Sequence, residues 1–127
     1  NTYEFAQIQV GKLAEIMSKV RKSMKISKNL AHMEVLDSGA SGAVNFVLGF
    51  SGKDVGIAYK ERVDKGIYAV SVRGSSSCKI HLGRLVSSVS AKFGGSGGGH
   101  DRACGAVIPK GNIKKFLRKM NSQLSSK

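Results

Sequence analysis

The chain has 127 residues, 41% of them apolar. That is about one domain, with enough apolar side chains for a core, and it excludes a globally disordered chain. Lys and Arg number 21 against 8 Asp and Glu, a net charge of +13, which favours polyanionic partners such as nucleic acid or a phosphorylated ligand.

Taken in chain order, the first pattern is helical. From Tyr3 to about Lys25, Phe5, Ile8, Leu13, Ile16, Met17, Val20 and Met24 recur at spacings of three, four and their sums. The stretch NTYEFAQIQVGK has no basic region followed by an apolar run, so no secretory signal is expected and the cytoplasm is the expected location. Leu30–Leu36 predicts a strand, Asp37-Ser-Gly a turn, and Ser41 the cap of a short helix through Val44, Val47 and Leu48, ending at Gly49. Val55–Tyr59 and Ile67–Val72 predict strands, and Asp64-Lys-Gly66 between them predicts a hairpin turn. Leu82, Leu85, Val86, Val89 and Phe93 share one helical face, with Gly94 as the stop. A glycine-rich loop follows, then a strand over Ala103–Ile108 broken by Pro109. Asn112 then caps a last helix carrying Ile113, Phe116, Leu117, Met120 and Leu124. The order α-β-α-β-β-α-loop-β-α predicts a compact two-layer α/β domain, a mixed β-sheet with flanking helices.

The loop reads GGSGGGHDRACG over residues 94–105. Three chemistries suit such a stretch. It can be a flexible linker, although only a strand and one helix lie beyond it. It can supply metal ligands, because Cys78 and His81 pair with His100 and Cys104 in two short clusters of zinc-binding type. Two cysteines are too few for a disulfide scaffold. It can also cradle a phosphate, because a tight glycine turn presents successive N–H groups as a concave anion nest. His100 at the lip then donates a hydrogen bond, and Arg102 adds further donors. The stretch lacks the G-K-[ST] ending of a Walker A loop, and His100 stands where a lysine would. Upstream, Ser71-Val-Arg73-Gly74 ends a strand with an arginine suited to clamping a phosphate.

These two elements, in this order, resemble the DHH-associated domain that follows the catalytic core in DHH phosphoesterases. The family pattern, a strand ending in S-x-R-[SG], a helix, then G-G-G-H-x-x-A-x-G, is met by Ser71–Gly74 and by Gly97–Gly105. The continuation Gly105-Ala-Val-Ile-Pro109-Lys-Gly111 and Phe116-Leu looks most like archaeal RecJ-type single-strand nucleases. Cys104 departs from the alanine or serine common at its position.

The resemblance implies a substrate-binding role: Arg73, Gly97, Gly98, Gly99, His100 and Arg102 would hold a phosphate of single-stranded nucleic acid or of a short oligonucleotide. It implies a parent enzyme that is a metal-dependent phosphodiesterase or exonuclease, its manganese or magnesium carried by a separate catalytic domain. The present chain has Asp37, Asp54, Asp64 and Asp101, none beside a His-His pair, so no cofactor is expected in this domain. Residues 1–28 would be a linker helix toward that catalytic domain, and 29–127 the DHH-associated substrate-binding domain. The alternative is a tRNA-binding module resembling the carboxy-terminal domain of alanyl-tRNA synthetase, against which His100-Asp101 argues. A third possibility is docking onto an acidic protein through Phe5, Ile8 and Met17 of the first helix.

Overall fold

The structure is a computed structural model that describes residues 2–36 and 40–125. Among these, the chain forms four α-helices and one six-stranded sheet. In chain order these are α1 (Thr2–Ser23), β1 (Lys25–Ile26), β2 (Ala31–Glu34), α2 (Ala40–Ser51), β3 (Val55–Arg62), β4 (Ile67–Gly74), α3 (Leu82–Lys92), β5 (Ser96–Gly99), β6 (Ala103–Pro109) and α4 (Ile113–Ser125). The strand order is β1-β2-β3-β4-β6-β5, with β2 and β3 parallel and the other pairs antiparallel. The expected mixed sheet with flanking helices is therefore present. The helices lie on both of its faces, because β3 is apolar on both: Val55 and Ile57 enter one core, Ala58 the other.

The larger core lies under α3 and α4. Val70 and Val72 of β4 and Ile108 of β6 meet Leu82 and Val86 of α3 and Phe116 and Met120 of α4. Each such side chain, fully buried, contributes roughly 1.5–3 kcal/mol. The smaller core joins Val20 of α1 to Met33 of β2 and to Val44 and Val47 of α2. There Gly56 admits the α2 backbone, since a Cβ at this position would lie 2.9 Å from the Leu48 nitrogen. The hairpin expected at Asp64–Gly66 forms: a short 3-10 turn spans Val63–Lys65, and Gly66 takes the left-handed conformation at φ 65°.

Several boundaries differ from expectation. Ser41 lies inside α2, which runs on past Gly49 to Ser51. Asn112 ties rather than caps: its amide Nδ2 donates to the Phe93 carbonyl at 2.8 Å, joining the start of α4 to the end of α3. The expected turn at Asp37-Ser-Gly and the side chains of Phe5 and Ile8 lie outside the described residues.

The main difference is the glycine stretch, which is not a free loop. Ser96–Gly99 is a strand, paired antiparallel with β6 in the register Gly97↔Ala106 and Gly98↔Gly105. Three of its four residues are glycine, which is depleted in strands, so local preference does not explain it. Close packing does. A Cβ on Gly83 of α3 would lie 2.2 Å from the Gly99 carbonyl oxygen, and a Cβ on Gly97 would lie 2.7 Å from both Ala106 Cβ and the Gly105 oxygen. The helix sits on the strand at a separation that only glycine on both sides permits.

Two substitutions separate this packing role from glycine's intrinsic cost. Gly97→Ala is expected to lower unfolding stability by about 2 kcal/mol or more, the scale of an overpacked site. Gly49→Ala, on an exposed helical position with nothing within 4 Å of the new Cβ, is expected to raise it by roughly 0.5–1 kcal/mol. Chemical denaturation of both variants checks the pair, and a neutral Gly97→Ala contradicts the packing account.

Candidate phosphate-binding site

Strand register brings the two sequence elements together. Arg73 pairs with Ala103 across β4 and β6, and the Gly74 N–H donates to the Arg102 carbonyl at 2.9 Å. His100 is tied to the same point, its N–H donating to the Ala103 carbonyl at 2.9 Å. Arg73, His100 and Arg102 thus share one end of the sheet. Because Val70 and Val72 face the core under α3 and α4, the alternation of β4 turns Arg73 to the opposite face. There its cross-strand partner on β6, Ala103, is exposed. Arg73 itself is half-buried, and its Nη1 donates to the Val72 and Cys104 carbonyls at 2.9 and 3.3 Å. The guanidinium is thereby pre-positioned, with donors left for a ligand. His100 is exposed. Arg102 is also exposed and leans back, its Nη2 3.4 Å from the Ser76 carbonyl.

The amino end of α3 would ordinarily be an anion site. Here its N–H groups are already engaged. Leu82 and Gly83 donate to the carbonyls of Asp101 and His100 at 2.9 and 3.1 Å, and Arg84 donates to His81 Nδ1 at 3.1 Å. His81 is the helix cap, as its position ahead of the apolar stripe suggests. Its bond to the Arg84 amide uses Nδ1 as acceptor and leaves Nε2 for other contacts. The connection between β5 and β6 is thus locked onto α3, so an incoming phosphate must use side chains and the outer edge of β5. That edge is available because β5 is the last strand of the sheet, and an edge strand keeps a row of unpaired backbone groups. Gly98, at φ 154°, also leaves open space, since a Cβ there would meet nothing nearer than the Gly83 carbonyl oxygen at 4.0 Å.

An open depression beside this edge is lined by His81, Gly83, Arg84, Ser87, Ser88, Gly98 and Gly99. The polar wall on α3 was not among the predicted site residues. Its signal was present in the sequence as the spacing of His81, Arg84, Ser87 and Ser88, opposite the apolar Leu82, Val86 and Val89.

The cysteine–histidine pairs do not assemble. Among the described residues no group of three or more His, Cys, Asp or Glu side chains gathers to hold a metal ion. Cys104 is buried in the larger core. Burial pushes its thiol up to about 11, against the opposing pull of Arg73. Among the described residues no helix is long and apolar enough to cross a membrane.

A DHHA1 domain is matched over residues 29–126. The chain belongs to the DHHA1 domain family. Over 33 residues it is 48% identical to an uncharacterized protein of Methanocaldococcus jannaschii, a stretch covering 26% of this chain and 8% of that protein. Its fold is similar to the pGpG-specific phosphodiesterase PggH from Vibrio cholerae, with a TM-score of 0.76 at 15% identity, covering 98% of this chain and 42% of that one. It is also similar to the C-Ala domain of Aquifex aeolicus alanyl-tRNA synthetase, with a TM-score of 0.60 at 12% identity, covering 81% of this chain and 98% of that one. The DHHA1 chain therefore spans less than half the length of the phosphodiesterase.

The burial of Cys104 has a direct readout. Near pH 8 an unfolded cysteine is partly thiolate, whereas a thiol at about 11 is not. Iodoacetamide is expected to leave Cys104 unmodified in the native protein while alkylating it in denaturant, as mass spectrometry would report. Equal rates in the two states would contradict its place in the core.

Proposed function

We propose that this DHHA1 domain is the substrate-phosphate-binding part of a DHH-family phosphoesterase acting on single-stranded nucleic acid or short oligonucleotides in the cytoplasm. The RecJ-type nucleases, to which its sequence motifs are similar, are the model for that activity. The observation that carries the reading is the β4–β6 register, which sets Arg73 against Ala103 beside His100. Arg73 supplies a pre-positioned fork of donors, His100 a second donor from the exposed turn, and Gly97–Gly99 a strand edge without side chains. Arg102 adds positive charge at the mouth. The net charge of +13 draws the polyanion in.

Cleavage belongs to a partner. Two-metal phosphoryl chemistry needs a cluster of carboxylate and histidine ligands. The described residues do not form one, so the manganese or magnesium of this reaction would sit in an accompanying DHH catalytic domain. The helix α1, within the proposed linker 1–28, would lead toward it. This domain by itself binds and does not cleave.

The second reading is a tRNA-binding module, favoured by the similarity to the C-Ala domain over nearly all of that chain. A competition assay separates the two. A short single-stranded oligonucleotide displaces a bound labelled strand at lower concentration than tRNA on the first reading, and at higher concentration on the second.

His100→Ala removes an exposed side chain and is expected to weaken oligonucleotide binding several-fold with no change in thermal midpoint. Arg73→Ala is expected to weaken it more, because charge-assisted bonds are roughly twice as strong as neutral ones. Binding isotherms at fixed salt measure both effects. Unchanged affinity in both variants removes these residues from the site.

A further inference from the structure

The same end of the sheet carries a second concavity that the proposed site does not use. It has a volume of about 400 Å³, and its walls include Lys28, Lys53 and Lys79. Lys28 precedes β2, Lys53 precedes β3 and Lys79 follows β4, so three separate segments each bring a lysine to the wall of one cavity. Lys53 is held in place, its Nζ donating to the Lys28 carbonyl at 3.0 Å. Among the described residues, neither Lys28 nor Lys79 has a carboxylate partner. The one acid of the lining, Asp54, accepts a hydrogen bond from Ser75 Oγ at 3.1 Å. Val55, Ile80 and Leu124 add an apolar floor.

The cavity lies at the same end of the sheet as Arg73 and His100, and one contact leads from Arg102 toward its wall. The Arg102 guanidinium touches the Ser76 carbonyl, and the next residue, Ser77, is part of the cavity wall. The Ser75 N–H donates to the Asp54 carbonyl at 2.9 Å, closing the segment after β4 onto the segment before β3. Val55 pairs with Gly74, so Lys53 lies on the order of 10 Å from Gly74, given ~3.3 Å per strand residue and ~4.8 Å between strands.

We propose that this lysine-lined cavity is a second phosphate site, which takes a phosphate further along a single-stranded polynucleotide whose end is held by Arg73 and His100. The inference rests on the functional reading above and sharpens it. A substrate of several nucleotides can occupy this cavity and the Arg73–His100 site at once. The spread of cations from Arg102 to Lys79, Lys53 and Lys28 is the electrostatic track expected for a strand rather than for a single compact anion.

The test is the affinity of the 127-residue chain, wild type and Lys28→Ala/Lys79→Ala, for an oligothymidylate of about 12 nucleotides and for a 5′-phosphorylated dinucleotide, each over a range of salt. Each phosphate contact on a single strand contributes about 0.7 to the slope of log K against log salt. The double variant is expected to bind the long strand at least about fivefold more weakly and to lose roughly 1.4 from that slope, two such contacts. Its affinity for the dinucleotide stays unchanged. A long strand bound as tightly as by wild type overturns the proposal, and so does an equal loss for both ligands. If the alanine pair is destabilised, Lys28→Gln/Lys79→Gln gives the same reading with the stems retained. His100→Ala keeps the two readings apart. It weakens both ligands if the terminal site is right. If it weakens neither while the lysine effect persists, the cavity stands and the terminal site falls.

Discussion

The contact on which the rest of the site depends is the seating of α3 on β5. Gly83 lies so near the Gly99 carbonyl that a side chain at position 83 would overlap it. This approach lets the first amides of α3 donate to the carbonyls of His100 and Asp101. Those bonds satisfy donors that a helix start would otherwise leave open. They also hold the β5–β6 connection at the end of the sheet, and His100 with it. From the other side, the pairing of β4 with β6 brings Arg73 to the same place. A glycine-poor β5 would push the helix away, and the turn carrying His100 would lose its anchor.

This arrangement changes how an anion can be held. A glycine-rich turn at a helix start invites a nest of backbone amides, as in many phosphate loops. Here the helix amides are already bonded within the chain, so in the proposed function recognition would fall to cationic side chains and to the edge of β5. Side-chain recognition of this kind suits a ligand that arrives through the long-range field of a basic domain and is then positioned by a few directed donors. The DHHA1 family membership supplies the setting, and the geometry at Arg73 and His100 supplies the contact points of the proposed function.

Much of this was legible in the residues. The hairpin of β3 and β4 follows from β-branched runs around Gly66. The helix α3 follows from the apolar face of Leu82, Val86 and Val89, and the pairing of Ser71–Gly74 with Gly97–Gly105 follows from a family pattern. The strand β5 was not legible, because glycine and serine have no local preference for a strand. Its order comes from α3 and β6 on either side, which is a tertiary effect. The two-residue β1 is too short to leave a periodic signal. Lys28, Lys53 and Lys79 are far apart in the chain and converge only through the order β2-β3-β4. No local pattern could have grouped them.

The most direct test of the central claim is a two-dimensional NMR titration of the ¹⁵N-labelled chain with a 5′-phosphorylated dinucleotide. The account predicts that the perturbed amides cluster at Gly74 and Gly97–Arg102, where Arg73 and His100 meet. The basic outer face of α4, formed by Lys114, Lys115 and Arg118, stays unperturbed. Perturbations confined to α4, with the Gly97–Arg102 amides unmoved, would contradict it.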